Sequence, residues 1–193
     1  ENIKEAILDY YFAKMPKALN KDFQVCKDEI QILSPQNNGI LGTKNLNTEI
    51  QKMFPKKGKF LAGIVNPNPE ARNLGNLRVD QHGYRVKFYS GDRIIQRAND
   101  YDIGIMNGET GYVVSSSKEG CLNISFDGNI VTYNADQVEN LDLAYALTIH
   151  KSQGSEYAGV IIPASSEQAY MLSRNLLYTA ITRGKSKVCV IGE

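Results

Sequence analysis

The sequence predicts an α/β fold: a parallel-sheet domain interrupted by a small β-barrel. An alternating run at residues 29–33 reads as a strand and the apolar run at 157–163 as a buried strand, and apolar residues at helical spacing lie beside them. Between Tyr84 and Leu141 the apolar period falls to two, over five short runs separated by turn residues.

The elements follow in chain order. Ile3, Ile7, Tyr10, Tyr11 and Met15 predict an amphipathic helix over 3–15. Glu29-Ile-Gln-Ile-Leu33 predicts a strand that ends at Ser34-Pro35. A loop with Gly39 and Gly42 follows. Thr43 is placed to cap a helix carrying Leu46, Ile50 and Phe54 on one face, and Pro55 ends it. Residues 56–83 hold Pro67 and Pro69 with little periodicity, and read as an irregular connection.

Strands are then expected from Arg85 to Phe88, Arg93 to Arg97, Thr110 to Ser115, Leu122 to Phe126 and Ile130 to Tyr133. Asp127-Gly128 is a strong hairpin signal, because a two-residue turn of this kind needs positive φ. After Leu141 the chain turns apolar from Leu143 to Ile149, then polar. Tyr157 to Pro163 predicts a buried strand. Ser166 opens an expected helix to about Thr182, with Tyr170, Leu172, Leu176, Leu177 and Ala180 as its apolar positions. Lys187 to Ile191 predicts the last strand.

Composition narrows the function classes. The 193 residues carry 22 Lys+Arg against 21 Asp+Glu, a net charge of +1. That excludes coating nucleic acid by bulk charge, though not a local basic groove. No apolar run approaches the ~20 residues of a membrane helix. The chain starts at Glu1 with no leader pattern, which suggests a piece of a longer chain and a cytoplasmic setting. Cys26, Cys121 and Cys189 are widely spread, so a disulfide framework or zinc site is not expected. His82 and His150 are the only histidines, and neither sits in a metal or Ser–His motif.

Two features mimic a nucleotide site. Gly184-Lys-Ser186 looks like the end of a phosphate loop, but residue 179 is Thr179 instead of glycine. The tripeptide also follows a helix and precedes a strand, the reverse of the order that aims helix N–H groups at phosphates. Asp28-Glu29 precedes its strand and is poorly placed for a magnesium-binding acid.

Two segments carry more information. Leu143 to Tyr157 gathers Thr148, His150, Lys151, Ser152 and Gln153, all able to bond phosphate or sugar oxygens, with Gly154 and Glu156 after them. By composition alone this is also an ordinary polar turn. In Asn175 to Lys185, Arg183 sits at a helix C-terminus. It serves there either as a favourable dipole contact or as a phosphate-sensing fork of donors.

These residues resemble a family. Thr148-Ile-His-Lys-Ser-Gln-Gly-Ser-Glu156 resembles motif V of superfamily 1 helicases, and Leu177-Tyr-Thr-Ala-Ile-Thr-Arg183 resembles motif VI. Gln31-Ile-Leu-Ser-Pro35, with Gly39, Gly42 and Leu46-Asn47, resembles motif IV of the RecD-like branch. Gly91-Asp-Arg-Ile-Ile-Gln-Arg-Ala-Asn99 and Asn107-Gly-Glu-Thr-Gly111 resemble that branch's barrel region. The resemblance runs from about residue 28 to the end; residues 56–83 depart from it.

The resemblance implies the C-terminal motor part of a 5′-to-3′ DNA helicase, exodeoxyribonuclease V alpha-chain-like. Residues 1–83 and 142–193 would form a RecA-like domain (2A), interrupted by an SH3-like barrel (2B) at 84–141. ATP and magnesium would be bound mainly by a first motor domain outside these 193 residues, so this piece alone is expected to be inactive. Arg183 would be the arginine finger. Glu156 and Gly154 would meet the nucleotide. Ser34, Asn107, Thr148, His150 and Lys151 would contact single-stranded DNA, on its backbone and not on base edges. The implied partners are single-stranded DNA, the first motor domain, and other recombination or repair subunits. A RecD-like domain of a conjugative relaxase and a non-enzymatic DNA-binding module are the alternative readings.

Overall fold

A computed structural model describes residues 2–54, 78–79, 85–116, 121–168 and 170–192. The chain divides into two compact units, Glu1–Ile50 with Tyr145–Glu193, and Gln51–Ala144.

In the first unit, α1 (Ile3–Asp9) is capped by Asn2, whose side chain accepts from Lys4 N at 3.0 Å. A π turn (Tyr10–Lys14) joins it to α2 (Met15–Ala18). Pro16 has no N–H for a regular helical bond, and the wider turn directly before it accommodates that loss. Ile7, Tyr11 and Met15 are buried, as their spacing predicts. A short helix, α3 (Phe23–Cys26), leads to β1 (Ile30–Ser34), which is buried along its whole length. All-round burial is what a central parallel strand requires.

The following loop turns tightly. A Cβ on Gly42 would run into the Asn38 carbonyl, so only glycine fits. Helix α4 (Thr43–Met53) buries Leu46 and Ile50, while Phe54 lies just past its end. Thr43 is the first helical residue, not the cap, and its hydroxyl donates to Asn37 Oδ1 at 3.0 Å. Pro55 and most of 56–83 lie outside the described residues.

Strands β2 (Arg78–Val79) and β3 (Arg85–Val86) form a small antiparallel pair in the second unit. There β4 (Arg93–Gln96), β5 (Thr110–Ser116), β6 (Leu122–Phe126), β7 (Asn129–Tyr133) and β8 (Leu141–Leu143) form an antiparallel sheet in the order β7-β6-β5-β4-β8. A strand is thus present within each of the five expected runs, although Arg85 to Phe88 is a strand only over its first two residues. Asp127 and Gly128 both adopt positive φ, 47° and 88°, as a two-residue hairpin turn demands. Strand β8 has no sequence signal of its own, being three residues that run into the apolar stretch after it. Before it, α5 (Ala135–Val138) starts with a capping box between Asn134 and Gln137.

The first unit resumes with β9 (Ala146–Thr148), β10 (Tyr157–Ala164), α6 (Arg174–Ile181) and β11 (Gly184–Gly192). Its sheet is parallel throughout, in the order β11-β10-β1-β9. Gly159 on β10 lies close under Met15, where a Cβ would come within 2.8 Å of Met15 Cγ. The expected helix from Ser166 to Thr182 is corrected. Ser166–Gln168 forms a single 3₁₀ turn, and α6 begins only at its Ser173 cap. The break arises because Gln168 turns inward, its Nε2 3.4 Å from Leu41 O, and this leaves Tyr170 82% exposed. Among the described residues no helix is long and apolar enough to cross a membrane.

Candidate functional site

Parallel pairing of β1 with β9 sets Ser34 opposite Thr148 at the C-terminal edge of the sheet. In open α/β sheets this edge is where ligands are held. Ile149 N donates to Ser34 O at 3.1 Å, and a 3₁₀ turn over His150–Ser152 follows. The Ser152 hydroxyl is buried and donates to Ile149 O at 2.7 Å, so it serves the turn. His150 and Lys151 are exposed beside Thr148.

Ser34 behaves otherwise than a surface contact. Its side chain is fully buried and its hydroxyl donates to Leu41 O at 2.8 Å. It holds the loop after β1 in place and presents nothing to solvent.

From His150 the chain crosses to the opposite edge of the sheet. Gly154 has φ +85° with open space where a Cβ would stand. Its glycine is therefore explained by the backbone angle, not by crowding. Glu156 follows, and its carboxylate pairs with Lys185 Nζ at 3.0 Å. Both side chains are largely exposed, so the pair is weak and open to exchange.

Arg183 stands at the same edge, just past α6. Its Nε donates to Thr179 O (3.3 Å), Nη1 to Ser155 O (3.2 Å) and Nη2 to Thr182 Oγ1 (3.2 Å). The Arg183 carbonyl accepts from Tyr157 N at 2.8 Å. A guanidinium has five N–H donors. Three are used here, leaving two N–H donors for a further partner such as a phosphate oxygen. The residues present therefore suit a nucleotide phosphate.

The structure thus brings Thr148, His150 and Lys151 together at one edge, over the buried Ser34. It brings Gly154, Glu156 and Arg183 together at the other. Asn107 lies in the second unit, exposed in the loop between β4 and β5, with its backbone N donating to Asn99 Oδ1 at 2.9 Å. Ser155, Thr179 and Lys185 as partners of the site are absent from the sequence reading. Two of them act through carbonyl oxygens, which leave no mark on side-chain identity.

Comparison with known proteins adds the family. Residues 143–191 match the UvrD-like helicase C-terminal domain family. The chain is 36% identical over 165 residues to the ATP-dependent RecD2 DNA helicase of Deinococcus radiodurans, covering 85% of this chain and 20% of that protein. It is 38% identical over 166 residues to the RecBCD enzyme subunit RecD of Mycolicibacterium smegmatis, covering 86% of this chain and 25% of that protein. The chain belongs to the RecD-like family of superfamily 1 helicases. This RecD-like chain spans a fifth to a quarter of the length of those two relatives. The fold agrees with that of a Pif1 helicase from Bacteroides, solved in complex with ADP-AlF3 and ssDNA. The TM-score is 0.55 at 17% identity, over 98% of this chain and 49% of that one. It supports a RecA-like α/β domain for the RecD-like chain.

Proposed function

We propose that this chain is the second RecA-like motor domain of an ATP-dependent, 5′-to-3′ DNA helicase, with an SH3-like barrel inserted at 84–141. Its work is to complete an ATP site and to grip single-stranded DNA. ATP, with magnesium, supplies the phosphoanhydride bond whose hydrolysis drives the motor, and is held mainly by a first motor domain. Arg183 contributes its free pair of N–H donors to the γ-phosphate, stabilising the charge that develops there. Glu156 exchanges Lys185 for the nucleotide sugar. Thr148, His150 and Lys151 hold DNA phosphates at the opposite edge, and Asn107 adds a contact from the second unit. Ser34 acts from beneath, by fixing the backbone of the DNA-holding turn.

The observation that carries this reading is the contact of Arg183 with Ser155. Residues 148–156 form one short segment with DNA-holding groups at its start and the arginine's anchor at its end. A change in what Arg183 holds pulls on Ser155, and through eight residues on Thr148. Nucleotide state and DNA grip are thereby coupled. In cells the protein works in the cytoplasm, with single-stranded DNA and the first motor domain as its partners. The names of some relatives support recombination subunits as further partners.

The deciding measurement is the steady-state ATPase rate of the whole protein at saturating single-stranded DNA. Arg183→Ala is expected to lower it by a factor on the order of 10³–10⁵ while DNA binding persists. Arg183→Lys also fails, since a point charge cannot copy the fork. A folded Arg183→Ala protein that keeps its rate ends the assignment.

A further inference from the structure

The loop between β4 and β5 holds an aromatic side chain in an unusual setting. Tyr101 is 78% exposed, and Met106 beside it in the loop is 37% exposed. The segment that carries it is tied down. An isolated bridge joins Asp100 and Ile105 through bonds of 2.8 and 3.0 Å in both directions. Asp100 Oδ1 accepts from Asp102 N at 3.2 Å, and Asp100 Oδ2 accepts from Gln137 Nε2 at 3.2 Å. The base of the loop is tied as well: Gly108 N donates to Gln96 O at 2.9 Å, and Gln96 N donates to Glu109 O at 2.8 Å.

One side chain links Tyr101 to the proposed DNA contact. Asn99 Oδ1 accepts from the Asn107 backbone N at 2.9 Å, and Asn99 Nδ2 donates to the Tyr101 hydroxyl oxygen at 3.2 Å. The ring and Asn107 are therefore held as one unit. A rigid, exposed ring loses little conformational entropy when something lies against it.

Charge decides what that something is. Asp100 and Asp102 flank the ring and Glu109 adds to their charge, which disfavours a phosphate directly against the ring. A nucleobase carries no charge and has a π-face, so it suits the ring where a phosphate does not. We propose that Tyr101 is a stacking platform for one base of single-stranded DNA, positioned by Asn99 next to Asn107. The proposal rests on the reading of this chain as a DNA-gripping motor domain, and adds to it a contact that is independent of salt.

The test is equilibrium binding of the whole protein to a labelled oligothymidylate and to the same strand with abasic sites, across a salt series. Tyr101→Ala is expected to weaken binding to the intact strand by about 5- to 150-fold, the loss of one stacked base. The dependence of log K on log salt stays parallel to wild type, because no phosphate contact is lost. On the abasic strand, wild type and Tyr101→Ala bind alike. Tyr101→Phe keeps the ring but loses the Asn99 bond, and is expected to bind the intact strand between Tyr101→Ala and wild type. Thermal melting confirms that the variants fold, as expected for an exposed position. Unchanged affinity for the intact strand, an equal loss on both strands, or a flatter salt slope each overturns the platform. A wild-type protein that binds no single-stranded DNA overturns the motor reading along with it.

Discussion

The Asn47 side chain clasps the backbone of Ala146 from both sides: Nδ2 donates to Ala146 O at 2.9 Å, and Ala146 N donates to Asn47 Oδ1 at 2.7 Å. Among the described residues β9 is the outer strand of the parallel sheet, and these two groups have no strand partner on that side. The amide of Asn47, buried on α4, substitutes for one. It closes the sheet edge two residues before Thr148.

Asn47→Ala leaves a buried N–H and a buried C=O without partners, at about 1–3 kcal/mol each. Urea unfolding should show a loss of roughly 2–5 kcal/mol. Asn47→Asp still accepts from Ala146 N but sets an oxygen against Ala146 O, and should recover only part. A midpoint unchanged by Asn47→Ala would mean that water satisfies this edge.

Residues 1–193 purified alone should hydrolyse no ATP above background, with or without single-stranded DNA. The sequence has no phosphate loop, and on the proposed reading Arg183 supplies only one side of a nucleotide site. DNA binding by the same material should be weak and should fall as salt rises, since it rests on a few exposed groups such as Lys151. Fluorescence anisotropy at two or more salt concentrations measures this. DNA-stimulated turnover by the isolated chain would contradict the half-site reading.

Tyr133 supports a pH prediction. Burial pushes its phenol well above the ordinary tyrosine value of 10.0, and the nearby Asp100 and Glu109 charges push it further. Its hydroxyl donates to Gln96 Oε1 at 3.2 Å. The unfolded chain therefore ionises this group first. The stability it contributes is fully present below about pH 10, and is lost as pH rises from there toward the folded value. Tyr133→Phe should remove part of that alkaline loss. At neutral pH it should cost about 1–3 kcal/mol through the orphaned Gln96 oxygen. Denaturant unfolding of both proteins between neutral pH and pH 11 checks both statements.

Gly154→Ala should cost about 1 kcal/mol, because alanine is strained at φ +85° although the space beside it is open. Gly154→Asn should cost less, since asparagine tolerates this region. Thermal melting orders the three proteins. Equal melting points would show that the loop takes another path in solution.

The parts of this fold that were legible in the sequence share a property: their signal is local. Ile30, Ile32 and Leu33 end at Ser34-Pro35, a strand signal carried by adjacent residues. Asp127-Gly128 is a turn whose φ requirements fall on two adjacent residues. Strand β8 and the break before α6 depend on distant partners instead. Leu141–Leu143 is a strand only because β4 is there to pair with it, and Gln168 leaves the helix to reach Leu41. The site divides the same way. Residue types mark Thr148, His150 and Arg183 as candidates. The inward turn of Ser34 and the anchoring of Arg183 on Ser155 needed the folded backbone.

The order of strands has a consequence for biosynthesis. Strand β1 is flanked by β9 and β10, and both lie beyond the second unit in sequence. When Ser34 leaves the ribosome, its partner Thr148 has not been made. About 110 residues of synthesis at about 5–20 residues per second separate them, a wait of roughly 6–20 seconds. For that interval a strand that ends up buried along its whole length has neither neighbour. The inserted unit, whose strands pair locally, has time to fold within it. This RecD-like chain therefore assembles its second unit before the unit that begins first, and its exposed β1 is the segment on which chaperones or aggregation would act.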